Sequence, residues 1–329
     1  MDMTATKTFT NRKPCGESQT IFSRAFVIKY ALYFALIAMI IILSFASDTF
    51  LKPSNIINVL RQISIQAIIA VGMTMVIILG QMDLSVGAIV AFASVVNALL
   101  VMKAGIPVVL AILITLFLSS LWGLLNGLVT AKFKLHAFLV TLATLTLIRG
   151  ITYTLTGGYP IGGLPKSFYE FGSGHLFKIP YPVLYMVVIY AIGMFVLRNT
   201  PFGRSIYSVG GNAEAARLSG INIFRTKVAV FVISSFLAAI GGIILSSRLR
   251  AGSPEVGLGW ELDIVAAVII GGTNIFGGEG KLTGTLIGML FVGILTNGMI
   301  LLDVTPYMQQ VVRGIVILAA VILNSLQEK

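Results

Sequence analysis

The stretch Gly211-Asn212-Ala213-Glu214-Ala215-Ala216-Arg217-Leu218-Ser219-Gly220-Ile221 interrupts a chain otherwise dominated by apolar residues. Asn212 is a strong N-cap residue, Glu214 falls in the first turn where negative charge suits the helix dipole, and Gly220 fits the position after the last turn. The stretch therefore predicts a capped helix of about two turns. Isolated helices below roughly 12 residues rarely offset the cost of nucleation, so this one needs a surface to dock against. Ala213, Ala215 and Ala216 give it a small face for close approach, and Glu214 and Arg217, at i and i+3, can fix its orientation. The surface can belong to its own chain or to another. Either way the stretch marks an aqueous side, and the long apolar segments before and after it have to be arranged around that side.

Of 329 residues, 57% are hydrophobic and 11% charged, where a soluble domain carries roughly 25% charged residues. With a mean hydropathy of +0.97, too few polar residues remain for the shell that a water-soluble core of this size requires. The chain belongs in a bilayer. Its net charge of +11 is scattered singly between apolar segments instead of forming a patch, which excludes a nucleic-acid surface. Cys15 is the only cysteine, so no internal disulfide forms. Arg12-Lys13-Pro14 precede it where the apolar part of a lipidation signal should end, so it is not read as an anchor. The polar start also lacks a cleavable signal, and the first long apolar run is expected to be retained.

A crossing helix needs roughly 20 mostly apolar residues. Ten segments qualify as candidates: 27–47, 56–79, 86–102, 107–130, 138–156, 182–197, 228–247, 262–276, 282–301 and 307–323. The eighth runs into Gly271-Gly272 and is expected to be broken or re-entrant. The expected fold is an all-α polytopic membrane bundle of about ten helices in one domain (27–325). A tail (1–26) precedes the domain, and a loop (199–227) carries the short capped helix. With the N-terminus inside, fourteen Lys and Arg residues fall in inner connections and seven in outer ones. Positive charge accumulates on the cytoplasmic side, so both termini and the opening stretch are expected there. Val76-Ile77-Ile78-Leu79-Gly80 is echoed by Val268-Ile269-Ile270-Gly271-Gly272, either as the trace of a duplicated half or by chance.

The run Gly277-Gly278-Glu279-Gly280-Lys281 invites a phosphate-loop reading, but Ile275 stands where the first glycine should be and Leu282 where the hydroxyl should be. A tight inner turn is the better expectation. Polar groups within spans usually face a bundle interior or a water-filled cavity. Gln62, Gln66, Asp83, Asn126, Asp263 and Asn297 are candidates for a translocation path, with Asn97, Arg149 and Arg313 also in spans. Amides and carboxylates match sugar hydroxyls better than ions; the alternative is that they bond helices together. The acids cluster near predicted span ends, which weakens a proton relay. His136 and His175 lie far apart and one cysteine argues no metal site. No catalytic constellation and no cofactor site are recognised. On the outer side Arg248, Arg250, Glu255 and Glu261 form either a docking rim for a soluble protein or an ordinary loop.

Glu214-Ala215-Ala216, three residues, then Gly220 resembles the motif through which permeases of ATP-binding-cassette importers receive their ATPase. Val230 replaces the isoleucine expected further on, and no Leu-Pro follows. More specifically, four motifs in register resemble the ribose-type branch of the branched-chain amino acid, ribose and xylose permease family. They are Gly80-Gln81-Met82-Asp83-Leu84-Ser85-Val86-Gly87, Gly210 through Ile221, Glu261-Leu262-Asp263, and Gly271 through Gly280 followed by Gly284-Thr285. The likeness covers nearly everything after about residue 50. One departure is Gln81-Met82, where the family has Gly-Ile; glutamine there restricts the backbone if φ is positive. The resemblance implies a non-catalytic permease of the bacterial inner membrane that carries a monosaccharide by alternating access. It implies three partners: an ATPase subunit that binds ATP, a periplasmic sugar-binding protein, and a second permease copy or close paralogue. Gly211, Asn212, Glu214, Ala215, Ala216, Arg217 and Gly220 would couple to the ATPase. A secondary transporter or channel, or a membrane enzyme, would need no such partner.

Overall fold

The computed structural model describes residues 24–327. Residues 1–23, which include Cys15 and most of the expected tail, lie outside the described residues, as does Lys329. The described chain runs α1 (Arg24–Ala46), α2 (Pro53–Ile78), α3 (Val86–Met102), α4 (Val108–Phe133), α5 (Ala137–Thr156), β1 (Ile161–Gly162), α6 (Lys166–Ser173), β2 (His175–Leu176), β3 (Ile179–Pro180) and α7 (Tyr181–Asn199). It continues with α8 (Pro201–Gly211), α9 (Ala213–Leu218), α10 (Ile223–Leu249), β4 (Ala251–Gly252), α11 (Trp260–Ile270), α12 (Leu282–Leu301) and α13 (Pro306–Gln327). Among the described residues six helices, α2, α4, α5, α7, α10 and α12, are long and apolar enough to cross a membrane. The protein is an all-α membrane protein, its strands being two-residue pairings in loops.

One expectation is met and one needs correction. The eighth segment, 262–276, yields only the 11-residue α11, which rises about 16 Å, half of the roughly 30 Å hydrocarbon thickness. It stops because Gly272 takes φ +85°, so the chain turns away where a residue with a side chain would be strained. The loop 199–227 is helical over most of its length. Thr200 accepts from the Gly203 N–H at 3.1 Å and Pro201 opens α8, a Ser/Thr cap with proline at the first helical position.

Every residue of α2 from Ile63 to Ile78 is buried, so this helix is the axis of the bundle. Around it pack α7, α10, α11 and α12. Helices in lipid gain little from apolar burial alone and associate through close packing of small residues. The α4–α10 seam is built that way. A Cβ on Gly123 would lie 2.4 Å from the Phe231 carbonyl oxygen, and one on Gly127 would lie 2.7 Å from Val228 Cα. Gly123→Val is therefore expected to cost about 1–3 kcal/mol of overpacking, read as a lowered melting temperature in detergent. Gly314→Ala, whose added carbon meets nothing within 4 Å, should melt no lower than wild type.

At the opposite end from α9, the long connection between α5 and α7 is tied down. β1 pairs with β4 (Ile161 with Gly252, Gly162 with Ala251). The Ser247 hydroxyl accepts from the Gly172 N–H at 2.8 Å and donates to the Phe168 carbonyl. Gly172 allows this contact, because a Cβ there would meet the Ile244 carbonyl oxygen at 2.5 Å.

Candidate functional site

The short helix α9 is capped at both ends. The Asn212 side chain accepts from the Ala215 N–H at 2.9 Å. At the other end the Gly220 N–H reaches the Arg217 carbonyl and the Ile221 N–H the Ala216 carbonyl, each at 3.0 Å, with Gly220 at φ +82°. This is a complete Schellman stop. Arg217 Nε donates to both oxygens of Glu214 at 3.1 Å. That hydrogen bond, and then the Arg217 charge, hold the Glu214 carboxyl below its ordinary value. The pair's contribution is complete above the ordinary carboxylate value and lost as pH falls through the depressed one, so α9 is insensitive to pH around neutrality. Only Ala216 faces the body of the protein. Ala213, Ala215 and Leu218 project outward, and Leu218 is 76% exposed. The sequence reading gave the outward surface to alanines and missed Leu218, although it is the one large apolar residue in an otherwise polar stretch.

The connection of α9 to the bundle runs through glycines. Gly210, at the end of α8, lies against the end of α2, and a Cβ there would sit 1.8 Å from the Ile78 carbonyl oxygen. That same oxygen accepts from the Gly278 N–H at 2.8 Å. Gly277 presses on Gly80, with a hypothetical Cβ 2.7 Å from the Gly80 nitrogen and 2.9 Å from the Gly210 oxygen. The Tyr207 hydroxyl donates to the Gly280 carbonyl at 2.8 Å. Three chain segments thus meet backbone to backbone: the ends of α2 and α8 and the loop after α11. No side chain lies between them to absorb a displacement.

The ends of α2 and α11 carry the same stop. Gly80 N–H bonds to Ile77 and Gln81 N–H to Val76; Gly272 N–H bonds to Ile269 and Thr273 N–H to Val268. The sequence echo Val76–Gly80 and Val268–Gly272 is therefore a shared capping motif, with Gly80 and Gly272 both at positive φ. Gln81 is not among the residues at positive φ, so the departure from Gly-Ile is accommodated without backbone strain.

Beyond Gly80 the chain turns back into the bundle before α3 begins. Asp83 Oδ1 accepts from the Ser85 N–H at 3.0 Å and the Ser85 hydroxyl at 2.6 Å, while Oδ2 accepts from the Ser234 hydroxyl of α10 at 2.9 Å. Asn126 of α4 donates to the Ser85 oxygen at 3.0 Å and accepts from Thr144 of α5 at 2.6 Å. Thr141 accepts from the Leu84 N–H at 3.1 Å. Asp83, Ser85, Asn126 and Ser234 have no exposed surface. The structure brings Asp83 and Asn126 together, and leaves the other path candidates apart. Asn297 of α12 exchanges two amide bonds of 3.0 Å with Asn55 of α2. Asp263 of α11 meets Arg313 of α13 at 3.3 Å. Gln66 is buried and Gln62 exposed on α2. Ser234, Thr141 and Asn55 were missed in the sequence, since serine, threonine and asparagine in apolar helices carry no spacing that marks them.

Residues 55–321 match the family model described as branched-chain amino acid transport system / permease component. The chain belongs to this permease family. The permease is 43% identical over 304 residues to the ribose import permease protein of Haemophilus influenzae, covering 91% of this chain and 94% of that one. It is 45% identical over 294 residues to the ribose import permease protein of Bacillus subtilis, covering 89% and 91%. Against the xylose transport system permease protein of Escherichia coli K12 the identity is 35%, covering 88% and 90%. No solved structure matches the chain.

On the face of the permease opposite α9, Arg250 and Arg61 make contacts within the chain. Arg250 stacks over the Tyr169 ring at 3.9 Å, and Arg61 lies 2.7 Å from His175. Glu255 is exposed. Glu261, expected on the same rim, instead lies against Gly87, where a Cβ would be 2.1 Å from its Oε2; the missing side chain lets the first turn of α11 sink into the bundle. Among the described residues no group of three His, Cys, Asp or Glu could hold a metal ion.

Proposed function

We propose that this permease is the membrane subunit of an ATP-binding-cassette importer that carries a ribose-like monosaccharide across the bacterial inner membrane. The observation that carries the reading is the capped, outward-projecting α9, joined through Gly210 to the end of α2. Two relatives named as ribose import permeases, at 43% and 45% identity, support the sugar class. The bundle has ten spans, α1 to α5, α7 and α10 to α13, with α3 and α11 the short members. Both termini and α9 lie in the cytoplasm, in keeping with the fourteen-to-seven division of positive charge.

A separate ATPase subunit seats on α9 through Gly211, Asn212, Glu214, Ala215, Ala216, Arg217 and Gly220, with Leu218 as the apolar knob. ATP stays on that partner, so no cofactor is held here. A periplasmic sugar-binding protein docks on the α6 face, and a second copy or close paralogue completes the path. When the cassettes close, α9 and α8 move together, and the glycine junction passes the stroke to α2 and the loop after α11. The ATPase selects one state of the bundle only by its differential affinity for the two. Gln62, Gln66 and Asp263 remain path residues in this scheme. Asp83, Asn126 and Asn297 brace the helices beside it.

The test is reconstitution of the permease in vesicles with its ATPase and binding protein. ATP-dependent ribose uptake is expected, and uptake by the purified chain alone would instead make it a secondary transporter or channel. Leu218→Glu should weaken association with the ATPase about tenfold, since a carboxylate would then face burial without a partner. Co-purification at wild-type proportion would remove α9 from the contact.

A further inference from the structure

The loop from Gly271 to Lys281 closes the glycine junction and also holds an aromatic ring away from the protein. Ile275 packs against the core, whereas the next residue, Phe276, is 69% exposed. The turn that presents it is tightly built. The Asn274 side-chain oxygen accepts from the Phe276 N–H at 2.8 Å, the Gly277 N–H donates to the Asn274 carbonyl at 3.1 Å, and the Asn274 N–H donates to the Glu279 carbonyl at 3.0 Å. Gly277 and Gly278 follow at φ +94° and +80°, where a side chain would be strained. Such an Asx-turn, closed from both sides, fixes the backbone at Phe276. The outward position of the ring is therefore set by the fold.

Hydrocarbon does not account for that position. Irregular backbone is not tolerated against lipid tails, and the loop is bound to α8, where the Tyr207 hydroxyl donates to the Gly280 carbonyl at 2.8 Å. It lies beside α9 as well. A Cβ on Gly278 would sit 2.9 Å from Gly211 Cα, and Gly211 precedes the Asn212 cap of α9. Two extended residues span at most about 7 Å and the six residues of α9 rise about 9 Å. Even fully stretched, the path through this contact keeps Phe276 and Leu218 within about 26 Å of each other. A partner of ordinary size covers about 800 Å² of surface, a patch roughly 30 Å across. A single exposed apolar residue is common on any surface. Here two stand on neighbouring segments, each held by a built turn and each joined by backbone to the same junction.

Resting on the importer reading, we propose that Phe276 is a second anchor for the ATPase subunit, gripped together with Leu218 of α9. The short helix alone is a poor handle. It buries only Ala216 against the protein, so a partner holding it can pull but cannot resist rotation about the contact. A second point on a separate segment removes that freedom. It also acts directly on the junction, because a Cβ on Gly80 would lie 2.9 Å from the Phe276 carbonyl oxygen. A displacement of Phe276 is thus felt at the end of α2 through its own peptide group. Aromatic side chains are the usual anchors of such contacts, since a rigid ring covers much area with few torsions to fix.

The experiment titrates purified permease with its ATPase subunit, using wild type, Phe276→Ala, Phe276→Leu and, as the reference for α9, Leu218→Glu. Phe276→Ala should weaken binding about tenfold and Phe276→Leu less than threefold, with both melting as wild type because the ring covers little of its own protein. Wild-type affinity in Phe276→Ala, with Leu218→Glu weakened as expected, overturns the second anchor and leaves α9 in place. Wild type that does not bind the ATPase at all would sink the importer reading and this inference with it. A photoreactive residue supplies the second measurement. In vesicles holding the assembled complex, Phe276→p-benzoylphenylalanine should crosslink to the ATPase subunit; adducts only with lipid or with a second permease copy overturn the proposal. Should Phe276→Ala melt below wild type, the crosslink decides.

Discussion

Gly210→Val is expected to leave the permease inserted and bound to its ATPase, with ATP still hydrolysed, and to reduce sugar uptake about a hundredfold. The obstacle is steric. A Cβ at this position would lie 1.8 Å from the Ile78 carbonyl oxygen and 2.8 Å from the Gly278 nitrogen. Both are backbone atoms within one hydrogen bond, so neither can swing aside as a side-chain tip would. The valine has to pry α8 from α2, at an overpacking cost of about 3 kcal/mol, which corresponds to roughly two decades in an equilibrium constant. Gly220→Val provides the contrast. Its added carbon meets nothing within 4 Å, and only the φ of +82° is unfavourable, a penalty of about 1–2 kcal/mol. It should uncouple transport more mildly, about tenfold. The paired measurement is ATP-dependent uptake against ATPase rate in the same vesicles. Gly210→Val with more than half of wild-type uptake would show that force does not pass through the junction.

Much of this architecture was legible because a bilayer imposes simple rules. Apolar length marked the six helices long enough to cross a membrane, and the capping residues Asn212 and Gly220 marked α9 with the bonds the structure contains. The echo of Val76–Gly80 in Val268–Gly272 was visible too, but its meaning was not, because a helix stop and a gene duplication leave similar traces in five residues. What escaped the sequence depends on through-space packing. The closeness of Gly80, Gly210 and Gly277 cannot be read from three glycines separated by long apolar segments. Helix α8 was hidden inside an assumed loop, despite the Thr200-Pro201 start. The polar residues in spans stand out in the sequence by type alone. Type does not distinguish an amide already bonded, as in Asn126 and Asn297, from a carboxylate oxygen buried without a partner, as in Glu261.

Asp83→Ala should lower stability further than Gly123→Val. The carboxylate receives three hydrogen bonds, from the Ser85 N–H, the Ser85 hydroxyl and the Ser234 hydroxyl. Each donor is buried, and in a bundle interior none has water to turn to. Removing the acceptor strands all three, and with couplings among them the loss is on the order of 3–5 kcal/mol. For a chain of this size that corresponds to a fall of roughly 10 °C in melting temperature in detergent. Asp83→Asn separates bond geometry from charge, since its oxygen can still accept from Ser85 and its amide can donate to Ser234 if that hydroxyl turns round. It should melt within a few degrees of wild type. If Asp83→Ala also melted there, the turn between α2 and α3 would be held by something other than this network. The functional consequence follows from position. Gly277 presses on Gly80 and Gly210 on Ile78, and three residues after Gly80 Asp83 is fixed to α10 through Ser234. A stroke delivered at Gly80 is therefore shared between α2 and α10 only while Asp83 holds, and Asp83→Ala permease that survives purification should hydrolyse ATP with little uptake.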